Sequence, residues 1–301
     1  MIPAVLLLIP NATLGPAKFP YGSPAFRTFV KDSLPSDDES FFRWFENALK
    51  SSGYGSVDAL LASEKDPQKL AAKLHAAIKK AIPKFSLDRG FEFRETVARG
   101  ERQCFLQSVL LAGLMQRAGF DSGVAMVWKN QLGSTSNNGH AIPLVRTKTG
   151  DLIVDCSDPE PFMKHQGLYL RDGKGGYRFV EPQYDGVKIT SYKPLSGAPV
   201  TAQGLGLDFL RSQFDYYRGE RAPGGFLAAP KTDQGLAASA VYLGKSQKEC
   251  RDNALAVYVL GRVYARQGKA ALAKAQFQRA AKLYQAAGWL PEGVRDALAG
   301  R

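Results

Sequence analysis

The run Cys104-Phe105-Leu106-Gln107-Ser108-Val109-Leu110-Leu111-Ala112-Gly113-Leu114-Met115 constrains this chain more than any other segment. Its apolar residues cover most of a helix circumference rather than one stripe, so the helix must be wrapped on several sides by the rest of the protein. Gly100 breaks the chain before it, Arg117 stands near its end, and Gly119 offers a C-terminal stop. Cys104 then falls in the first helical turn. Unpaired backbone N–H groups and the helix dipole favour a thiolate there, and Arg99 and Arg102 add positive charge nearby. A buried helix is a rigid mount for a nucleophile at its start. The same cysteine also reads as a small apolar core residue.

Two later residues bear on that choice. Asn137-Asn138-Gly139-His140-Ala141-Ile142-Pro143-Leu144-Val145 reads as a polar turn feeding a strand, with His140 at the junction. After the turn Lys148-Thr149-Gly150, the segment Asp151-Leu152-Ile153-Val154-Asp155 reads as the antiparallel return strand, ending in a carboxylate. A hairpin of this length brings His140 beside Asp155. A thiol nucleophile needs a base to take its proton and a carboxylate to orient that base, and Cys104, His140 and Asp155 supply them in order. The plain alternatives are a turn histidine and an aspartate that caps the Ser157-Asp158-Pro159 turn.

The stretch RGERQCFLQSVLLAGLMQRAGF, then NGHA, then GDLIVDCSDPEPF resembles the core of the transglutaminase-like superfamily, a circularly permuted relative of papain-like cysteine proteases. The resemblance covers roughly residues 89 to 160 and lies in order and spacing. It implies an α+β fold with an antiparallel sheet and a central helix that bears the nucleophile. Carried over residue by residue, it makes Cys104 the nucleophile, His140 the base and Asp155 the orienter. The Cys104 backbone N–H and the Gln103 side chain are the candidates for oxyanion stabilisation. The activity implied is thiol-dependent acyl transfer on a peptide or protein substrate: hydrolysis of an amide bond by a protease or amidase, with transamidation as a variant. Many members carry an aromatic residue where this chain has Ile142, and a proline where it has Cys156-Ser157, which leaves substrate choice open. The competing reading is an inactive core that serves as a scaffold.

The remaining titratable residues fit less pointed roles. His165 lies beyond the aspartate and outside the family order, which suggests a loop or pocket rim. His75 sits in a helical pattern, Leu70 to Ile78, as a helix-face residue. Cys156 adjoins Asp155 and on a strand would point to the opposite face. Cys250 precedes an amphipathic helix without a matching base. Three cysteines and three histidines show no CxxC or HExxH spacing, so no zinc site is expected. No phosphate-cradling glycine loop follows a strand, and Gly173, Gly175 and Gly176 suit a hairpin turn, so no cofactor is expected. The net charge of +12 is spread as single Lys and Arg residues, which argues against a specific nucleic-acid site.

With 301 residues and 45% hydrophobic content, the chain can bury a core and divides into about two domains. Residues 1–22 are apolar at the start but too short to cross a bilayer, leaving a signal peptide or a buried strand, and hence an exported or a cytoplasmic protein. No transmembrane segment is expected. Residues 23–88 read as helices that pack on the core. One begins after Asp37-Asp38-Glu39-Ser40, carries Phe41, Phe42, Trp44 and Phe45, and stops at Gly53; another runs from about Pro67 to Ile82. The catalytic core is placed at 89–198, with further strands around 168–170, 177–180 and 187–190. From 199 to 301 the chain is alanine-rich and helical. Leu260-Gly261, Tyr264, Gly268, Ala273, Phe277 and Ala280 match the spacings of a tetratricopeptide repeat. Segments 205–218 and 233–245 suggest a preceding helical pair, and 291–299 a capping helix. Such helices either bind a protein partner or buttress the core.

Overall fold

The computed structural model describes Leu14 and residues 17–300. The apolar stretch at the N-terminus lies largely outside them. The chain is α+β: a helical layer, an antiparallel barrel and a helical C-terminal region.

Four helices come first, α1 (Pro24–Ser33), α2 (Glu39–Ser51), α3 (Val57–Ala62) and α4 (Pro67–Ala81). Their starts are chemically marked. Ser23, Ser56 and Asp66 accept from backbone N–H groups three residues on, and Pro24 and Pro67 open α1 and α4. The aromatic cluster of α2 is packing: Phe41 meets Phe93 edge-on with ring centroids 4.7 Å apart, and Tyr21, Phe26 and Phe45 fill the same cluster.

A short parallel pair, β1 (Lys84–Phe85) with β2 (Glu101–Arg102), brackets α5 (Phe93–Arg99). It leads directly into α6 (Cys104–Arg117), which is buried from Cys104 through Gln116. The all-round apolar pattern thus has its cause in the surroundings. Gly113 lets α1 approach α6 so closely that a Cβ there would lie 2.9 Å from the Phe26 ring.

Then come β3 (Ser122–Lys129), β4 (Thr135–Thr147), β5 (Gly150–Ile153), β6 (Gly167–Asp172), β7 (Tyr177–Asp185), β8 (Lys188–Pro194) and β9 (Ala202–Gln203). Their order is β3-β4-β5-β8-β7-β6-β9, every pairing is antiparallel, and β3 also pairs with β6, which closes the sheet into a barrel. A register shift between Val127 and Lys129 accompanies that closure. Ala125, Val127, Ile142, Leu144, Leu168 and Leu170 belong to one apolar cluster, while their strand neighbours Met126, Ala141, Val145 and Tyr169 join the larger cluster shared with the helices.

Five helices follow: α7 (Leu207–Glu220), α8 (Asp233–Glu249), α9 (Ala254–Arg266), α10 (Ala270–Ala286) and α11 (Glu292–Leu298). α9 and α10 pack tightly because Gly261 makes room for Phe277, whose ring lies 2.6 Å from where a Cβ would stand. α7 is tied to the rest of the molecule. Phe214 touches Phe29, Phe93 and Phe105, and Arg218 bonds both carboxylate oxygens of Glu92, at 2.7 and 3.0 Å. One apolar cluster therefore runs from α1 to α11. No helix among the described residues is long and apolar enough to cross a membrane.

Candidate active site

The chain enters α6 along a fixed track. β2 is held by β1 on one side, and on the other the Gly90 backbone is so close that a Cβ would lie 2.3 Å from the Arg102 carbonyl. Arg102 itself is buried, donating to the Ile82 carbonyl at 2.6 Å and to Gln107 Oε1 at 2.9 Å, and Arg99 is paired with Glu95 at 3.0 Å. The positive charge expected at the thiol from these two arginines is thus engaged elsewhere. Gln103 stands at the helix N-cap in an extended conformation, and Cys104 is the first helical residue.

Register explains how the other residues arrive. The polar stretch from Thr135 is paired strand, so His140 sits within β4, opposite Val127, rather than at its mouth. β5 ends at Ile153, sooner than the sequence suggests, yet its course continues beside β4: Leu144 pairs with Ile153, and Val154 N–H donates to the Pro143 carbonyl at 3.0 Å. That continuation brings Asp155 to His140. The His140 Nε2 to Asp155 Oδ1 distance is 2.9 Å, and the Cys104 thiol is close enough to the same imidazole to interact with it directly.

Charge follows from this geometry. Burial would push the Cys104 thiol up, but the His140 hydrogen bond and charge and the Ala141 backbone outweigh it and hold the thiol below its ordinary value. Burial would lower His140, yet Asp155 and Cys104 together raise it to about 10. Asp155 loses solvation on burial, but bonds from His140, His165 and the Ser157 N–H keep it far below the usual carboxylate range. Each group thus stabilises the charged form of the other, and the two titrate as a unit.

His165 is the residue that sequence order missed. It is 2% exposed rather than on a rim, and its Nε2 lies 2.8 Å from Asp155 Oδ2. Asp155 thus carries one imidazole on each oxygen. Tyr184 donates to the His165 carbonyl at 2.8 Å and fixes its backbone, while His165 Nδ1 is buried without a hydrogen-bond partner. His140, Asp155 and His165 also offer ligand atoms within 4.8 Å of one another, a group that could hold a metal ion. Such a group has no short-range spacing to betray it. Both ring nitrogens are at hydrogen-bond distance from the carboxylate, so a cation would have to replace the protons that join them.

The other candidates separate clearly. Gln103, the residue before Cys104, is buried with Oε1 unpartnered. His75 is buried in α4 rather than on its open face, with Nε2 3.0 Å from the Asp158 carbonyl, which anchors the loop after Asp155. Cys156 is not on a strand. It is buried, its thiol pushed well up by burial and by the Asp155 charge. Cys250 ends α8, and burial raises its thiol to about 12. Gly173, Gly175 and Gly176 lie in the turn between β6 and β7. Compared with known proteins, the chain matches no family model, no curated protein and no solved structure.

Proposed function

We propose that this chain is a transglutaminase-like cysteine enzyme that hydrolyses amide or peptide bonds, with its catalytic core at 89–198 and a tetratricopeptide-like helical region at 199–301. The observation that carries the reading is the His140–Asp155 contact of 2.9 Å with the Cys104 thiol close to the same ring. Three side chains from a helix start, a strand and a loop meet in the order that thiol chemistry requires.

The chemistry follows from the charges. Cys104 Sγ, as thiolate, attacks the carbonyl carbon, and the carbonyl π pair moves to oxygen. The Cys104 backbone N–H and Gln103 are the donors at hand for that oxyanion, Gln103 with its amide turned so that nitrogen takes the unpartnered position. Collapse of the adduct breaks the C–N bond, and the His140 imidazolium gives its proton to the leaving amine. Water then attacks the thioester, His140 takes a proton from it, and collapse breaks the C–S bond, releasing the carboxylic acid and restoring the Cys104 thiolate beside the His140 imidazolium. Asp155 holds the ring and its charge throughout, and His165 holds Asp155 from the far side as a positioning residue.

A second reading has its own observation. Val241 is 71% exposed on α8 and Leu272 50% exposed on α10, apolar side chains suited to a protein partner on an inactive scaffold.

The pH dependence of Cys104 alkylation by iodoacetamide, located by peptide mass mapping, separates the two. Fast labelling at pH 6 that falls by about 100-fold in His140→Ala, toward an ordinary thiol of pKa about 8.5, is expected of the enzyme. Slow labelling indifferent to the variant leaves the scaffold.

A further inference from the structure

We infer that the aromatic recess between the barrel and the C-terminal helices is the substrate's side-chain subsite, and that it takes a small aliphatic side chain on a residue flanking the scissile amide. This rests on the hydrolase reading above.

Location comes first. The recess is lined by Trp128 of β3, Gly139 of β4, Gln213 of α7, Ala254 and Leu255 of α9, and Trp289 before α11. Gly139 directly precedes His140 in the chain. Gln213 lies one helical turn from Tyr217, which packs on Phe105 at 5.7 Å and feels the charge of Cys104. The recess and the thiol thus share β4 and α7.

Size sets the occupant. The half-open recess has a cavity volume of ≈ 40 Å³. At roughly 10–15 Å³ for each water-sized group, it admits about three heavy atoms, an isopropyl group, and no aromatic ring. Its walls are built for that dimension. The Trp128 indole lies against Gly167, where a Cβ would stand 2.4 Å from the ring, so the glycine seats it; Trp289 packs on the indole at a 37° tilt with centroids 4.9 Å apart.

Polarity identifies the occupant as part of a peptide. Trp128 Nε1 and Gln213 Nε2 are buried N–H donors without a hydrogen-bond partner. Gln213 is oriented by Asn253, whose Nδ2 donates to its Oε1 at 3.2 Å. Two orphan donors in an apolar wall call for an acceptor that arrives with the ligand, and a peptide carbonyl beside an aliphatic side chain supplies it.

The test uses the full chain and acetyl-dipeptidyl chloromethyl ketones in which Gly, Val or Phe occupies either position. Cys104 Sγ displaces chloride and forms a thioether, and each rate is divided by the same protein's iodoacetamide rate. We expect Val to exceed both Gly and Phe by about tenfold or more at one position. Ala254→Leu fills the recess and removes that advantage, whereas Leu255→Ala enlarges it and moves the preference toward Phe. Equal rates for the three side chains in the parent, or a Val advantage that survives Ala254→Leu, would overturn the assignment. If the thiol proves inert, the hydrolase reading fails separately. The recess is then judged in Cys104→Ala by the fluorescence of Trp128 and Trp289 on titration with acetyl-Val-Gly-amide. Saturation that acetyl-Gly-Gly-amide does not give, lost in Ala254→Leu, upholds it; no saturable change sinks it.

Discussion

Asp155 is the most heavily engaged side chain in the site. Oδ1 receives His140 at 2.9 Å and the Ser157 N–H at 2.9 Å, while Oδ2 receives His165 at 2.8 Å. A carboxylate held on both oxygens cannot swing, so the ring it orients cannot drift from the thiol. His165→Ala frees Oδ2, and labelling of Cys104 at pH 6 should slow by about tenfold, whereas His165→Gln should restore it through the amide N–H. Equal labelling in all three proteins would reduce His165 to packing. Cys104, His140 and Asp155 were legible as a set because the resemblance lies in their chain order and spacing. His165 was not, since its contact is made by a loop closing in space, and neither its neighbours in sequence nor its distance from Asp155 along the chain reports that closure. The engagement of Arg99 and Arg102 was equally hidden: charge can be counted in a sequence, but its partners cannot.

Among the elements, the short ones matter most for the site. β1 and β2 contain two residues each, too few for any hydropathic period, yet they aim the chain into α6. Gly90 permits that arrangement. Gly90→Ala places a Cβ 2.3 Å from the Arg102 carbonyl, and either the loop or β2 must move. Urea unfolding should show a loss of about 1–3 kcal/mol, and Cys104 labelling at pH 6 should fall as the helix start shifts. An unchanged midpoint would mean that the loop yields without cost. Long elements were readable in advance: α6 from its apolar run, and β6, β7 and β8 from alternation. β4 hides its first half because Thr135 to Gly139 have the composition of a turn, and only pairing with Lys129 across a register shift makes them a strand. α3 was overlooked for the same reason as β1, being six residues long.

At the level of the whole molecule, Phe214 links the N-terminal helices, α5, α6 and α7 in one aromatic contact set. Phe214→Ala should destabilise the protein by about 3–5 kcal/mol. Far-ultraviolet circular dichroism and tryptophan fluorescence should still give coincident transitions, because Trp44 of α2 and Trp128 of β3 pack on the same cluster. Separate transitions would mean that the helical and barrel parts unfold independently. Acid adds a second signature. Asp155 is held far below its unfolded value near 3.9, so its bonds stabilise the fold above that pH and are lost as pH falls further. Denaturation midpoints measured from pH 7 to pH 3 should therefore decline less steeply in Asp155→Asn than in the parent, and parallel slopes would contradict this. Closure of the barrel has one more consequence. β3 meets β6, and β3's first residues are covered by the segment around Gly204 and Leu205, whose N–H groups reach Leu14 and Val124. The β3 edge is thereby covered where β6 does not reach it. The same seal guards against self-templated fibrils, and amides along the seam, at Met126 and Tyr169, would be the ones whose hydrogen exchange warns of its opening.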